Sequence, residues 1–140
     1  MSVTVKIAKG LESLPEAKEI RQKVFVEEQG FVDEFDNIDD IAYHVLVCKD
    51  DKAVATGRLF FDGESWHIGR VAVLPQCRGQ NMGEKVMSAL ENYGRELGVT
   101  EITLSAQMQA SGFYEKQGYE NCGDLHYDQH CPHVTMKKTL

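Results

Sequence analysis

The chain has 140 residues, 42% of them hydrophobic and 26% charged, with a formal net charge of −7 at pH 7. That length can bury a core as one domain over residues 1–140 without disulfide or metal staples, and the acidic balance argues against a nucleic-acid partner, which calls for a basic face. No apolar run reaches membrane-spanning length and residues 1–10 carry no signal-peptide pattern, so a cytoplasmic location and no membrane partner are expected.

Along the chain, residues 3–8 alternate Val3, Val5 and Ile7 with Thr4 and Lys6, the pattern of a first strand. Ser13-Leu14-Pro15-Glu16 reads as a capping box with proline in the first helical turn. The helix it opens sets Ala17, Ile20, Val24 and Phe25 on its inner side and ends near Gly30. Asp33 to Asp40 is an acidic loop without the glycine and terminal glutamate of a calcium loop. Such runs are usually solvated. Residues 42–48 are nearly all apolar, a strand buried on both faces. Asp50-Asp51-Lys52 turns it into residues 54–61, and Asp62-Gly63 signals a hairpin into residues 65–73. His44 and His67 lie in these strands, where a histidine is ordinarily a satisfied core or rim residue. Strict alternation puts His67 on the face of Val71 and Val73.

Leu74-Pro75 stops that strand, because proline offers no N–H to a ladder. Gln76 to Gly83 follows, rich in residues that accept unusual backbone angles. Met82, Val86, Ala89, Leu90, Tyr93 and Leu97 then recur at helical spacing, with Gly98 as the C′ residue. A strand, a glycine-containing loop and a helix N-terminus form an anion cradle, since the first helical N–H groups lack internal acceptors and the helix dipole is positive there. Arg78 adds a full charge. The Gly-Lys-Ser/Thr ending of a nucleotide P-loop and the G-x-G-x-x-G of a dinucleotide fold are both absent. Residues 101–106 alternate Ile102, Leu104 and Ala106, another strand. Residues 107–119 read as a short helix stopped by Gly118, with Phe113 and Tyr114 as packing residues. Cys48, Cys77, Cys122 and Cys131 form no C-x-x-C pair and read as reduced thiols. His126, His130, Cys131 and His133 crowd the tail at no structural zinc spacing, so no metal site is expected. Residues 134–138 alternate as the closing strand.

Three of these segments carry a resemblance. Gln76-x-x-Gly79-x-Asn81 resembles the acetyl-CoA signature of the GNAT acetyltransferases, with Asn81 where the pattern has glycine or alanine. Asparagine is the next-best residue for a left-handed backbone, so the loop should survive. Gln107-x-x-Ala110-x-x-Phe113-Tyr114-x-x-x-Gly118-Tyr119 is similar to the second signature. Arg21-x-x-Val24-Phe25-Val26-x-Glu28-Gln29, with the Pro132-His133 turn, resembles a small bacterial subgroup of uncharacterised members. The likeness covers essentially the whole chain.

The resemblance implies an α/β fold: a mixed, mostly antiparallel sheet of six or seven strands flanked by helices, with a splayed parallel pair. It implies acetyl-CoA as co-substrate. The pantetheine arm would pair with the backbone of Val71, Ala72 and Val73. The diphosphate would meet N–H groups of Arg78, Gly79, Gln80, Asn81, Met82, Gly83 and Glu84. Gln107, Ala110, Phe113, Tyr114 and Lys116 would complete the cofactor wall. The implied activity is direct acetyl transfer, in a ternary complex, to a small-molecule or peptide amine. Tyr114 is then the acid for the departing thiolate, and His67, Glu28 and His133, in that order, are candidate bases. Against this, Glu27 and Glu28 read equally as two solvated helix-end carboxylates. On a further reading the acidic loop draws the amine in. A catalytically idle acyl-CoA-binding sensor on the same fold is the main rival, and a cofactor-free interaction module the third. A homodimer is open to the chain, since many members pair through edge strands or C-terminal segments.

Overall fold

The alternating segments assemble into one sheet. In the computed structural model, which describes residues 2–140, its strands are β1 (Val3–Lys9), β2 (Tyr43–Lys49), β3 (Lys52–Phe61), β4 (Trp66–Val73), β5 (Glu101–Gln107), β6 (Glu120–Asn121), β7 (His126–Asp128) and β8 (Cys131–Thr139). Their order is β1-β2-β3-β4-β5-β8-β6, with β7 on β8. Every pairing is antiparallel except β4–β5. The expected mixed sheet is present, and two very short strands bring its count to eight. The parallel pair holds together only at Trp66–Ile102 and His67–Thr103. Beyond that point β4 and β5 diverge, while β5 stays paired to β8 along its whole length. A split therefore opens in the middle of the sheet.

Helices cover both faces. Helix α2 (Met82–Glu96) buries Val86, Met87 and Leu90 against Val45, Val47, Leu59, Ile68, Ile102 and Met136. On the other face, helix α1 (Pro15–Arg21) buries Ala17 and Ile20 with Leu46, Cys48, Ala72 and Leu74. Strand β2 thus feeds both cores with alternate residues, as its unbroken apolar run predicts. Helix α3 (Ser111–Lys116) sits beside the start of α2 and ends before Gly118, whose φ is 97°. No helix among the described residues is long and apolar enough to cross a membrane.

Three local features depart from the sequence expectation. The capping box does not form: a 3-10 turn at Leu11–Ser13 precedes the helix, Leu14 takes the N-cap position, and the Ser13 hydroxyl donates to Lys9 C=O at 3.3 Å. The first helix also changes character after Arg21, continuing as a π-helical segment over Gln22–Glu28. That wider turn keeps Val24 and Phe25 buried while re-aiming Glu28 and Gln29. The third is a bulge in β4. Arg58 pairs with Gly69 and Thr56 with Ala72, so Gly57 faces both Arg70 and Val71. Arg70 takes a left-handed φ of 53°. The extra residue reverses the alternation. His67 shares a face with Ala72, toward α1, and not with Val71 and Val73 as strict alternation had it.

Candidate active site

At the open end of the split, Pro75–Cys77 forms a 3-10 turn and the loop swings into α2. Gly79 and Asn81 supply left-handed angles, φ 78° and 65°. Asn81 therefore does what the signature's small residue would do. The first i−4 bond of the helix runs from Lys85 N–H to Asn81 C=O at 3.2 Å. Ahead of it, the N–H groups from Gly79 through Glu84 have no acceptor among the described residues. The Arg78 N–H does, donating to Pro75 C=O at 3.3 Å, so it drops out of the predicted cradle. A Cβ on Gly83 would stand 3.0 Å from Phe113 Cζ, which is how α3 can close over the helix start.

A cleft of about 880 Å3 runs through the split. Every predicted cofactor residue except Gln80 lines it. The Gln80 side chain instead accepts a hydrogen bond from Lys49. The Arg78 guanidinium makes a bidentate pair with Glu28, both bonds 2.7 Å, and its Nε donates to Val73 C=O at 3.1 Å. Glu28 lies outside the cleft lining. The Arg78 hydrogen bonds hold its carboxyl below the usual glutamate range. Both of its carboxylate oxygens are thus taken up by Arg78. Gln29, next in the chain, accepts from Gln107 at 2.8 Å. The end of the π-helical segment is thus tied to both lips of the split.

Tyr114 lines the cleft with its ring edge-on to Phe113 and Tyr119, at centroid distances of 5.0 and 6.0 Å. Burial pushes its hydroxyl up to about 12. The neighbouring Tyr119 is committed elsewhere: it donates to Glu91 at 2.8 Å, and Lys138 donates to the other Glu91 oxygen at 2.8 Å. The Tyr114 hydroxyl has no such partner among the described residues and stays protonated, able to donate.

On the α1 side of the sheet the strand registers place His67, Ser105, Gln107 and His133 on one face. His133 is 6% exposed and lines the cleft. Its Nδ1 lies 3.0 Å from Cys131 C=O. A carbonyl only accepts, so Nδ1 carries the proton in the neutral ring and Nε2 keeps its lone pair. His67 also reaches the cleft, stacked on Phe60 at 5.2 Å with Nε2 2.7 Å from Asp62 Oδ2. Asp62 is held down to about 2 by the backbone N–H groups of Ser65 and Glu64 and by His67. His126 bonds Ser105 Oγ at 2.8 Å, and His130 packs on Phe31 at 4.9 Å.

The acidic loop is only partly solvated: Asp33 and Asp40 are exposed, while Glu34, Asp36 and Asp39 are paired with arginines. Arg21 bonds Glu34 Oε2 at 3.0 Å and Asp39 at 2.7 and 3.1 Å. Arg58 takes Asp36 at 2.7 Å and Asp39 at 2.8 Å. Arg70 takes Glu34 at 2.9 Å. Burial pushes the Glu34 carboxyl up. Burial works the same way on Asp36 and Asp39, but the arginine bonds and charges outweigh it and hold both below the aspartate range. Sequence reasoning missed this network and the two arginines it brings to the cleft wall, Arg58 and Arg70. Two signals were there: a lone arginine inside the apolar run of β3, and a Gly-Arg pair inside a strand, which marks a bulge.

A sheet split between two parallel strands, with an anion cradle at the mouth and a free tyrosine hydroxyl inside, is the architecture of a CoA-dependent acyltransferase. The chain belongs to the GNAT acetyltransferases: the family model for the acetyltransferase (GNAT) domain matches residues 13–140. It is 36% identical over 132 residues to the uncharacterized protein YyaT of Bacillus subtilis, covering 91% of this chain and 89% of that one. It is 33% identical over 135 residues to the uncharacterized N-acetyltransferase YjcF of the same organism, covering 94% and 96%. Among solved structures it is similar to Escherichia coli ElaA, with a TM-score of 0.85, 26% identity and 98% and 99% of the two chains covered.

Proposed function

We propose that this chain is an N-acetyltransferase working as one domain, moving the acetyl group of acetyl-CoA to an amine by direct transfer in a ternary complex. The observation that carries the reading is the row of unengaged N–H groups from Gly79 to Glu84, opening onto the same cleft as the free Tyr114 hydroxyl. The amides and the α2 dipole hold the diphosphate. The edge of β4 beyond His67 is free to pair with an amide-bearing arm. Leu74 N–H donates to Val54 C=O, so by alternation the Val73 N–H faces the split and can receive charge developing on the thioester oxygen.

The reaction forms one C–N bond and breaks one C–S bond. His133 Nε2 takes the proton that the amine must lose, and Tyr114 gives its proton to the departing sulfur. His133 ranks above His67 because it stands on β8 opposite Gln107, where the split is open, whereas His67 pairs with Thr103 at the closed end. Calorimetric titration with acetyl-CoA, followed by free-thiol release across a panel of amines, tests the reading. One-to-one binding and amine-dependent thiol are expected. Binding without turnover would favour the idle sensor; no binding would leave only an interaction module.

A further inference from the structure

We propose that the acceptor amine also carries a carboxylate, and that Arg70 holds it in front of the buried Arg58 charge. This rests on the acetyltransferase reading and adds the substrate class. Arg58 lines the cleft yet is only 3% exposed. Its Nη1 donates to Asp36 and Asp39, and its Nη2 donates to Asp36. Its Nε has no partner, and it is the one buried side-chain N or O atom of which this is true among the described residues. An unpaired buried donor costs about 1–3 kcal/mol, more when charged; this Nε lies too deep to be touched, and it leaves the Arg58 charge under-compensated behind the cleft wall, where an anion would offset it.

Arg70 supplies the free donor. The bulge brings it to the same cleft, where its side chain is 26% exposed. Nε and Nη2 bond Glu34 C=O at 3.3 and 3.1 Å, and Nε meets the Glu34 carboxylate at 2.9 Å. Nη1 has no protein partner among the described residues. Glu34, Asp36 and Asp39 lock both guanidiniums at the wall, so the free Arg70 Nη1 is held in place before any ligand arrives. A carboxylate is what such donors fit. The alternative, a second ammonium as in a polyamine, would meet Glu34 at this wall, which already serves Arg21 and Arg70.

The test is calorimetric titration of the CoA-loaded protein with glycine, β-alanine, γ-aminobutyrate, L-alanine and L-phenylalanine, and with the primary amide of each. At least one acid should bind about tenfold tighter than its own amide. Arg70→Ala should erase that preference while acetyl-CoA affinity stays within about twofold. Should Arg70→Ala fail to fold, Arg70→Lys keeps the charge without the fork and should cut the preference severalfold. Amides binding as well as acids, no acid binding, or a preference untouched by either variant would overturn the proposal. Loss of acetyl-CoA binding by the wild type would instead strike the acetyltransferase reading, so the two failures are distinguishable.

Discussion

Tyr114 and Tyr119 are five positions apart and both carry hydroxyls shifted upward by burial, yet only one can act. Tyr119 is closed into a chain with Glu91 and Lys138, a packing device inside the α2 core. Tyr114 faces the cleft with its proton uncommitted. Tyr114→Phe should lower kcat about 10- to 100-fold with little change in the KM for acetyl-CoA. Unchanged kcat would remove it from the chemistry. The histidines divide in the same manner. His133→Gln should lower kcat/KM by about 100-fold and abolish the limb of the pH profile that rises as an imidazole loses its proton. His67→Gln should leave that limb in place, because its ring lies at the closed end of the split, where β4 still pairs with β5. Steady-state rates across pH for both variants check the assignment.

Among the elements, the π-helical segment and the β4 bulge do the positioning. The segment puts Glu28 on Arg78 and Gln29 on Gln107, so a carboxylate competes for the one arginine of the diphosphate loop. Both partners are substantially exposed, and such a pair is worth little in stability. Its weight falls on binding: Glu28→Gln should lower the KM for acetyl-CoA severalfold, and Arg78→Ala should raise it about tenfold. Equal KM values in wild type and both variants would deny Arg78 any contact with the cofactor. The bulge in turn needs Gly57. A Cβ there would lie 2.6 Å from Val86 Cγ1 and 3.2 Å from Leu90 Cδ1, both on the packed face of α2. Gly57→Ala should cost about 1–3 kcal/mol by overpacking, read from urea unfolding.

At the scale of the molecule, shifted carboxyls in the acidic loop, at the Arg78 pair and in the β3–β4 hairpin govern behaviour in acid. Glu28, Asp36, Asp39 and Asp62 all titrate below their ordinary values in the fold, Asp62 near 2 against 3.8. A depressed carboxyl contributes stability that is complete above its unfolded value and is lost as pH falls through its folded one. Glu34, raised by burial, has the opposite sign, and it is one group against four. The melting temperature should therefore fall steadily from about pH 5 to about pH 2, and Asp62→Asn should flatten the last part of that fall. A melting temperature that held or rose over that range would contradict the loop network.

The sequence by itself determined the six long strands, the two helices that cover them and the glycine-containing loop before α2, because each rests on local period, proline and glycine chemistry or helix-end donors. Residues 42–48 had to be doubly buried, and Asn81 could take the left-handed turn, whatever lay around them. Tertiary structure alone decided which donors remain free. The bulge that turns His67 away from Val71, the pairing that takes Glu28 out of the cleft, and the acids that occupy all but two donor atoms of Arg58 and Arg70 join residues tens of positions apart. A side chain's availability depends on which neighbours the folded chain has already given it. No periodicity or motif encodes that.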